Sequence, residues 1–335
     1  MIGVWGAWVV PLLVFTSSVA GRQGRGPAAP IPEDDRIRLA ETKRLAGIIQ
    51  DSVWPGWSRA PFPVLLVSDS LEFLLWHPRP DPDFRSIGHD SLLASEIFVR
   101  PRSQPTNLLA TFPAVGGVPT IVVGQPAKTG KNSTGWVLTL LHEHFHQLQM
   151  SRPGYYAAVN SLQLARGDRT GMWMLNFPFP YDSAPVQRRF RALSQALFAA
   201  SAAGPAGPPP ELVQRYASAR RELRSALGAD DARYLDFQFW QEGVARYVEY
   251  ASARLASRTA PPAEAFRRLP DFIPYADLAS AMHEKLLRDL QALDLGASRR
   301  VSFYPVGAAI ALLLDQTTPD WKERYFMPMF RLPPD

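Results

Sequence analysis

The sequence of 335 residues contains no cysteine. This absence excludes disulfide bridges, cysteine nucleophiles, thiolate zinc sites and attachment through a lipid-modified cysteine. Any metal ion that the chain binds is therefore held by histidine nitrogens or carboxylate oxygens, and the chain has only six histidines.

Runs of basic residues are also missing, although the net charge is +5. No stretch of lysine and arginine is longer than two residues, and the arginine pairs are scattered along the chain. Proteins that bind nucleic acid usually concentrate their positive charge on one face or stripe. The sequence therefore predicts a basic surface and no nucleic-acid partner.

The longest apolar run lies at the N-terminus, from Ile2 to Phe15. It is shorter than the roughly 20 apolar residues that span a bilayer, and Ser18 and Ala20 fit a cleavage site after Ala20. We therefore predict a signal peptide over residues 1–20, export to the periplasm or exterior of a bacterium, and no stable membrane span after cleavage. The alternatives are an uncleaved anchor and a buried N-terminal strand.

The rest of the chain divides into a leader and one domain. Residues 21–36, rich in glycine, proline and arginine, predict a flexible leader, and residues 37–335 predict the domain. Its first part, 37–150, is predicted to hold a helix and a small mixed sheet, with the helix at Ile37–Ile49 and strands at Phe62–Val67, Phe73–Trp76, Glu96–Val99 and Val118–Val123. Its second part, 151–335, shows helical periodicity at 186–202, 211–227, 235–256, 276–293 and 307–315. The predicted fold class is α+β.

Residues 138–150 carry the clearest chemical signal, Leu-Thr-Leu-Leu-His-Glu-His-Phe-His-Gln-Leu-Gln-Met. His142 and His146 are four residues apart, so on a helix their rings project from one face, about one turn apart. This spacing suits two nitrogen ligands of one zinc ion, and Glu143 is placed to take a proton from a zinc-activated water. His144 is predicted to face away from the metal, where it either packs against neighbouring residues or supports a metal ligand.

A hydrolytic zinc site needs a third protein ligand and one open position. The best candidate without cysteine is Glu242, and Glu249, two turns further along the same helical stripe, is predicted to orient a zinc-bound histidine. Glu249 is also the replacement third ligand if Glu242 is misplaced. The alternative is a surface salt-bridge ladder of Glu242, Arg246 and Glu249.

The segment Trp240–Tyr250 reads Trp-Gln-Glu-Gly-Val-Ala-Arg-Tyr-Val-Glu-Tyr. It resembles the third-ligand helix of gluzincin metallopeptidases, especially those of the aminopeptidase-N type. The resemblance implies a thermolysin-like zincin fold in which His142, His146 and Glu242 bind Zn²⁺. The later segment Phe-Tyr-Pro-Val-Gly is similar to the Tyr-x-Lys-Gly segment of the same enzymes, which implies that Tyr304 stabilises the oxyanion.

The sequence also departs from that family. Val306 stands where the family has lysine, and the long segment 147–241 separates the two motifs. Its run Trp173–Tyr181, rich in aromatic residues and proline, either lines a substrate cleft or packs into the core. No acidic residue occurs from Ile97 through Leu141, where the aminopeptidases carry a glutamate that holds the free amine of the substrate.

These observations favour an endopeptidase or an unconventional exopeptidase. We predict an exported zinc metallopeptidase that hydrolyses peptide bonds in a peptide or protein substrate, with Glu143 as general base. The alternative is a non-catalytic binding or scaffold protein in the periplasm that keeps a peptidase-like fold.

Overall fold

The computed structural model describes residues 31–204 and 207–333. The predicted signal peptide, 1–20, and most of the predicted leader lie outside the described residues. The last four residues of that leader are helical, because the first helix, α1, spans Glu33–Val53. Pro32 precedes this helix and three acidic side chains occupy its first turn, where they interact favourably with the helix dipole. The leader prediction is therefore wrong for residues 33–36.

The described residues contain one six-stranded mixed sheet. The strands are β1 (Val64–Val67), β2 (Leu71–Leu75), β3 (Arg85–Asp90), β4 (Ser95–Pro101), β5 (Leu109–Val115) and β6 (Val118–Gly124). They are arranged in the order β3-β4-β2-β1-β6-β5. The pair β1–β6 is parallel and the neighbouring pairs are antiparallel. The mixed α+β architecture and the small mixed sheet are thus confirmed.

The central strands are buried on both faces, which explains why they read as continuous apolar runs. One face carries a hydrophobic cluster that includes Leu65, Leu74 and Val122. The sequence analysis missed β3 and β5. Strand β3 is largely exposed, and β5 is a partly exposed strand that contains Pro113, so neither has the apolar alternation by which strands are recognised.

Helices follow the sheet and make up most of the remaining chain. After α1 they are α2 (Pro126–Thr129), α3 (Ser133–Ser151), α4 (Tyr155–Ser161), α5 (Trp173–Asn176), α6 (Ala184–Ser201), α7 (Pro210–Ser225), α8 (Ala229–Gln238), α9 (Val244–Thr259), α10 (Glu264–Arg267), α11 (Tyr275–Gln291), α12 (Leu295–Ser298), α13 (Phe303–Thr317) and α14 (Trp321–Arg324). Each helix predicted from periodicity is present, but the one expected over 235–256 is divided between α8 and α9 by a π turn at Phe239–Gly243.

The aromatic run at Trp173–Tyr181 packs into the core. Trp173, Phe177, Phe179 and Tyr181 are all buried, and the ring of Phe179 meets that of Phe303 edge-on at 5.3 Å. Of the two alternatives, core packing is therefore the one that the structure supports. Because Phe303 begins α13, this run helps to position the start of the helix that carries Tyr304.

No helix in residues 31–204 and 207–333 is both long and apolar enough to cross a membrane.

Candidate metal centre

The candidate site is built around α3, which packs against β5, β6 and α9. Asn132 caps its first turn by accepting a hydrogen bond from the Gly135 amide at 2.8 Å. Ser133 fixes the same end, because its backbone amide donates to Asp271 at 2.8 Å and its hydroxyl accepts from Arg38 at 2.7 Å. Nearly every residue of α3 is buried, including the polar ones. Neighbouring elements therefore contact the helix on all sides and fix its rotation about its own axis.

His142 and His146 present their Nε2 atoms to each other at 3.2 Å. The Nδ1 atom of His146 lies 2.6 Å from Gln149 Oε1 and 3.0 Å from the amide nitrogen of Gln241. The Nδ1 atom of His142 faces Glu249 Oε2 at 3.5 Å. Both imidazoles are thus oriented from behind, with their two Nε2 atoms converging on one point.

Gln149 also connects α3 to the π turn. Its amide nitrogen donates to the carbonyl of Trp240 at 3.2 Å and to that of Gln241 at 3.1 Å. The Gln241 amide donates in turn to Gln149 Oε1 at 3.0 Å. These buried bonds hold the backbone just before Glu242 against the helix that carries His146.

The π turn and a close helix contact place Glu242. A Cβ at Gly307 would lie 2.6 Å from the Cα of Gly243, and a Cβ at Gly243 would lie 2.4 Å from the Cα of Gly307. Only glycine at both positions allows this approach of the π turn to α13. As a result Glu242 and Tyr304, which is on the first turn of α13, face the same place.

Glu242 completes a group that can hold a metal ion. Its Oε2 lies 3.6 Å from His146 Nε2, and the ligand atoms of His142, His146 and Glu242 all lie within 4.8 Å of one another. Burial disfavours the charge on Glu242, but the hydrogen bond and charge of His146 outweigh it and keep the Glu242 pKa well below its usual range. Burial likewise opposes a charge on His146, but Glu242 raises the pKa of His146 to about 9.

Glu249 occupies a different place, behind His142. Burial opposes its ionisation, but Arg246 and His142 outweigh burial and lower its pKa to about 2. Arg246 donates to Glu249 Oε2 at 2.5 Å. The alternative of a surface ladder is thus right about the Arg246–Glu249 pair. The group does not form a surface ladder, because Glu249 is buried and Glu242 forms its ion pair with Arg300 instead of Arg246.

Glu143 is held by the edge of the sheet. The Thr111 hydroxyl, on β5, donates to Glu143 Oε2 at 2.9 Å and also lies 3.0 Å from the Glu143 carbonyl oxygen. The other carboxylate oxygen, Oε1, accepts no hydrogen bond from the residues that the structure describes. Sequence reasoning missed Thr111 because β5 itself was not recognised.

Tyr304 lies beside Glu242 and Arg300. Arg300 Nη1 donates to the Tyr304 hydroxyl oxygen at 2.8 Å and lies 3.6 Å from Glu242 Oε1. Burial, and after it the neighbouring Glu242 charge, raises the pKa of Tyr304 well above its usual range. The phenol therefore keeps its proton.

Sequence reasoning also missed Arg300 and Gln149. Both stand at helical spacing from a predicted residue: Arg300 four before Tyr304, and Gln149 three after His146. Spacing of this kind brings side chains together on one helix face and is the signal that could have found them. Lys131 was missed as well. It interacts electrostatically with Glu249 and Glu143, although burial lowers its pKa.

His144 is a packing residue, as predicted. Its ring is stacked on Phe62 at 3.9 Å and lies 5.2 Å from Trp57. Burial lowers its pKa to about 3, although the hydrogen bond with Gln147 opposes the shift. It therefore stays neutral, on the side of α3 away from the metal group.

The donor set fits a zinc ion. Zinc–ligand distances of 2.0–2.1 Å in a tetrahedral site separate neighbouring ligand atoms by about 3.3 Å. The observed separations are 3.2 Å between the two Nε2 atoms and 3.6 Å from His146 Nε2 to Glu242 Oε2. Two imidazoles and one carboxylate leave a tetrahedral metal one open position, which is the arrangement of catalytic zinc sites.

Comparison with known proteins shows no match of this chain to any protein family, curated protein or solved structure.

Proposed function

We propose that the protein is a zinc-dependent metallopeptidase in which His142, His146 and Glu242 hold Zn²⁺. The observation that carries this proposal is the convergence of three ligand atoms. The two imidazole Nε2 atoms lie 3.2 Å apart, and a carboxylate oxygen of Glu242 lies 3.6 Å from the Nε2 atom of His146. A further carboxylate, that of Glu143, is on the helix that carries both histidines. A thermolysin-like zincin fold belongs to the same proposal. The small mixed sheet, the helix behind its edge and the following helical part are compatible with it.

When bound, Zn²⁺ lowers the pKa of a water molecule and polarises the scissile carbonyl group. Glu143 acts as the general base: it takes a proton from the attacking water and passes it to the nitrogen of the leaving amine as the C–N bond breaks. Thr111 holds one oxygen of this carboxylate and leaves the other for the proton. The second proton of the water also ends on the leaving nitrogen, so the products are one carboxylate and one ammonium group and both protons are accounted for.

Tyr304 donates a hydrogen bond from its hydroxyl group to the oxyanion that forms on the carbonyl oxygen. Arg300 fixes the orientation of the phenol through its hydrogen bond to the hydroxyl oxygen. Glu249 keeps His142 oriented from behind, as Gln149 does for His146.

A peptide substrate is supported by the strand that borders the site. Strand β5 lies at the edge of the sheet and pairs with β6 alone among the described strands. An edge strand offers backbone hydrogen bonds to an extended peptide, and Thr111 on β5 contacts Glu143. A peptide added to this edge would therefore run past the general base. The predicted signal peptide would place this reaction outside the cytoplasm, which fractionation of the producing cells tests.

The test is digestion of a peptide library by the purified protein, with and without a metal chelator. We expect cleavage that the chelator abolishes and added zinc restores. The variant Glu143→Gln is expected to keep the metal and lose turnover by at least about a hundredfold, because glutamine cannot accept the proton. Glu222→Gln, an exposed position on α7, is the matched control and should cleave like the wild type.

Two results would contradict the proposal. Cleavage by Glu143→Gln at the wild-type rate would remove Glu143 from the reaction. Absence of metal-dependent cleavage of any peptide would instead favour the non-catalytic scaffold.

A further inference from the structure

Arg300 is a cation next to the metal group. One of its nitrogens, Nη1, donates to Tyr304 and lies 3.6 Å from Glu242 Oε1, a carboxylate oxygen of a proposed ligand. Its other two nitrogens, Nε and Nη2, donate no hydrogen bond to any residue in the described part of the chain. Its side chain is 23% exposed and is therefore partly open to solvent. A partly exposed guanidinium with unused donors stands next to the place where substrate would react.

Two more cations surround the same group. Arg246 pairs with Glu249 through one nitrogen and remains 41% exposed, and its guanidinium carbon lies 5.7 Å from the Tyr304 ring centre. The guanidinium carbon of Arg300 lies 5.3 Å from the same ring centre. Lys131 interacts with Glu249 and Glu143. Two guanidinium groups therefore lie near the phenol ring, and Lys131 adds a third cation to the site.

The acidic groups around the metal already have tasks. Glu242 is a ligand, Glu249 orients His142, and Glu143 is the base. The segment that leads into α3, Ile97 through Leu141, holds no acidic residue that could receive a substrate ammonium group. Charge complementarity therefore favours a substrate that carries a negative group over one that carries a free amine.

The backbone of Arg299, directly before Arg300, is strained. Arg299 has φ 45° and ψ −129°, a conformation that side-chain-bearing residues rarely adopt. Such strain persists where the surrounding structure imposes it, often at functional sites. Here it lies at the turn that directs the next residue, Arg300, toward Tyr304 and Glu242.

We propose that the site selects peptides with a carboxylate next to the scissile bond and that Arg300 binds this carboxylate. This inference rests on the proposed peptidase function. A guanidinium presents parallel N–H donors that match the two oxygens of a carboxylate, and such charge-assisted pairs are among the strongest hydrogen bonds in proteins. The carboxylate can be the C-terminus of the peptide or an acidic side chain, which share the same chemistry.

The experiment compares three forms of one peptide that the protein cleaves near its C-terminus. The first ends in a free carboxylate, the second in an amide, and the third in an amide with glutamate after the scissile bond. We expect kcat/KM to be about 10–100-fold higher for a carboxylate form than for the neutral amide, mainly through KM. Preference for the first form alone identifies the C-terminus as the source, whereas equal preference for the third identifies an acidic side chain.

Variants then assign the preference to Arg300. Arg300→Gln should bring the ratio of acid to amide close to one, and Arg300→Lys should retain part of it, because lysine keeps the charge but not the paired donors. Arg288→Gln, which alters an exposed arginine on α11, should keep the full ratio. Melting temperature and metal content identify any variant that does not fold. If Arg300→Gln does not fold, the acid-to-amide ratio of Arg300→Lys, compared with that of the wild type, still tests whether Arg300 binds the carboxylate.

Binding provides a readout apart from turnover. Calorimetric titration of Glu143→Gln with the carboxylate and amide forms should show at least about tenfold tighter binding of the carboxylate. Equal binding, or metal-dependent cleavage with no preference for a carboxylate, would overturn the inference and leave the peptidase function intact. No metal-dependent cleavage of any peptide would overturn the peptidase function, and the substrate assignment with it.

Discussion

The two walls of the candidate site are built differently. The α3 wall supplies His142, Glu143 and His146 from one continuous helix, which a cap, the sheet and buried glutamines hold in place. The opposite wall supplies Glu242 from a π turn and Tyr304 from the start of α13, two segments far apart in sequence. Their contact depends on a pair of glycines.

This difference separates local from long-range causes. The residues of the α3 wall share a face because of helix geometry alone, whatever the rest of the chain does. The residues of the opposite wall meet only when α13 packs against the π turn. Damage to that packing should therefore disturb Glu242 and Tyr304 while the two histidines stay in place.

Tyr304→Phe removes a single oxygen atom from the opposite wall and should lower kcat strongly. Loss of one oxyanion donor typically lowers kcat by about 10²–10³-fold. Metal content should not change, because the hydroxyl is not a ligand in this account. Tyr250→Phe, whose ring is stacked on His283 at 5.8 Å, is the matched control. Equal kcat in the two variants would exclude Tyr304 from the reaction.

Gly307→Ala should weaken the contact between the π turn and α13. The added Cβ would lie 2.6 Å from the Gly243 Cα, and a backbone atom cannot move aside as a flexible side chain can. We expect a loss of up to about 3 kcal/mol in the free energy of unfolding, measured by urea denaturation, and weaker metal binding because Glu242 shifts.

Gly47→Ala is the control for that variant, because a Cβ at Gly47 in α1 meets no atom within 4 Å. It should be neutral or stabilising by up to about 1 kcal/mol, since alanine favours helix more than glycine does. If Gly307→Ala behaves like Gly47→Ala, the glycine contact does not hold the opposite wall in place.

Glu249→Gln tests the connection between the two walls. This carboxylate on α9 faces His142 Nδ1 on α3 at 3.5 Å, and removing such a partner usually weakens metal affinity by about 10–100-fold. The dissociation constant for zinc, measured by competition with a chelator, should rise by that factor. Glu284→Gln, an exposed position on α11, should leave the constant unchanged. An unchanged constant in Glu249→Gln would remove this role from Glu249.

The pH dependence of stability tests the packing side of the α3 wall. The pKa of His144 is about 3 in the folded protein, below the value of about 6.5 in an unfolded chain. Because the unfolded chain binds the proton more readily, stability should fall as the pH drops from 6.5 towards 3, by roughly 1.4 kcal/mol per pH unit. Urea denaturation at pH 5 and 6.5, with chelator present, measures this slope.

His144→Phe is the control for this measurement, because phenylalanine fits a stack on Phe62 and Trp57 without titrating. Its pH slope should be smaller than that of the wild type by the His144 contribution. Identical slopes would show that His144 does not govern acid stability.

The same contrast explains what could be predicted from the sequence. The helix of α3 and the geometry of His142 and His146 follow from local spacing, and the buried strands β1 and β6 follow from their apolar runs. Strand β5 was missed because most of its side chains are only partly buried, and Thr111 was missed with it. Local patterns contain no information about an exposed edge strand that is held by its neighbour.

The opposite wall is harder to predict for a different reason. The sequence predicts a regular helix over 235–256, but Glu242 lies in a π turn within that range and faces His146, whereas Glu249 lies in α9 and faces His142. The residue types at Phe239–Gly243 do not predict a π turn. Arg300 was one of several scattered arginine pairs, and only the packing of α13 distinguishes it from the others.

The most direct test of the central claim is zinc analysis of the purified protein beside its Glu242→Ala variant. The account predicts about one zinc per chain in the wild type and a strong loss in the variant, because two imidazoles alone hold the ion weakly. Full zinc retention in Glu242→Ala, or no zinc in either protein after metal is added, would contradict it.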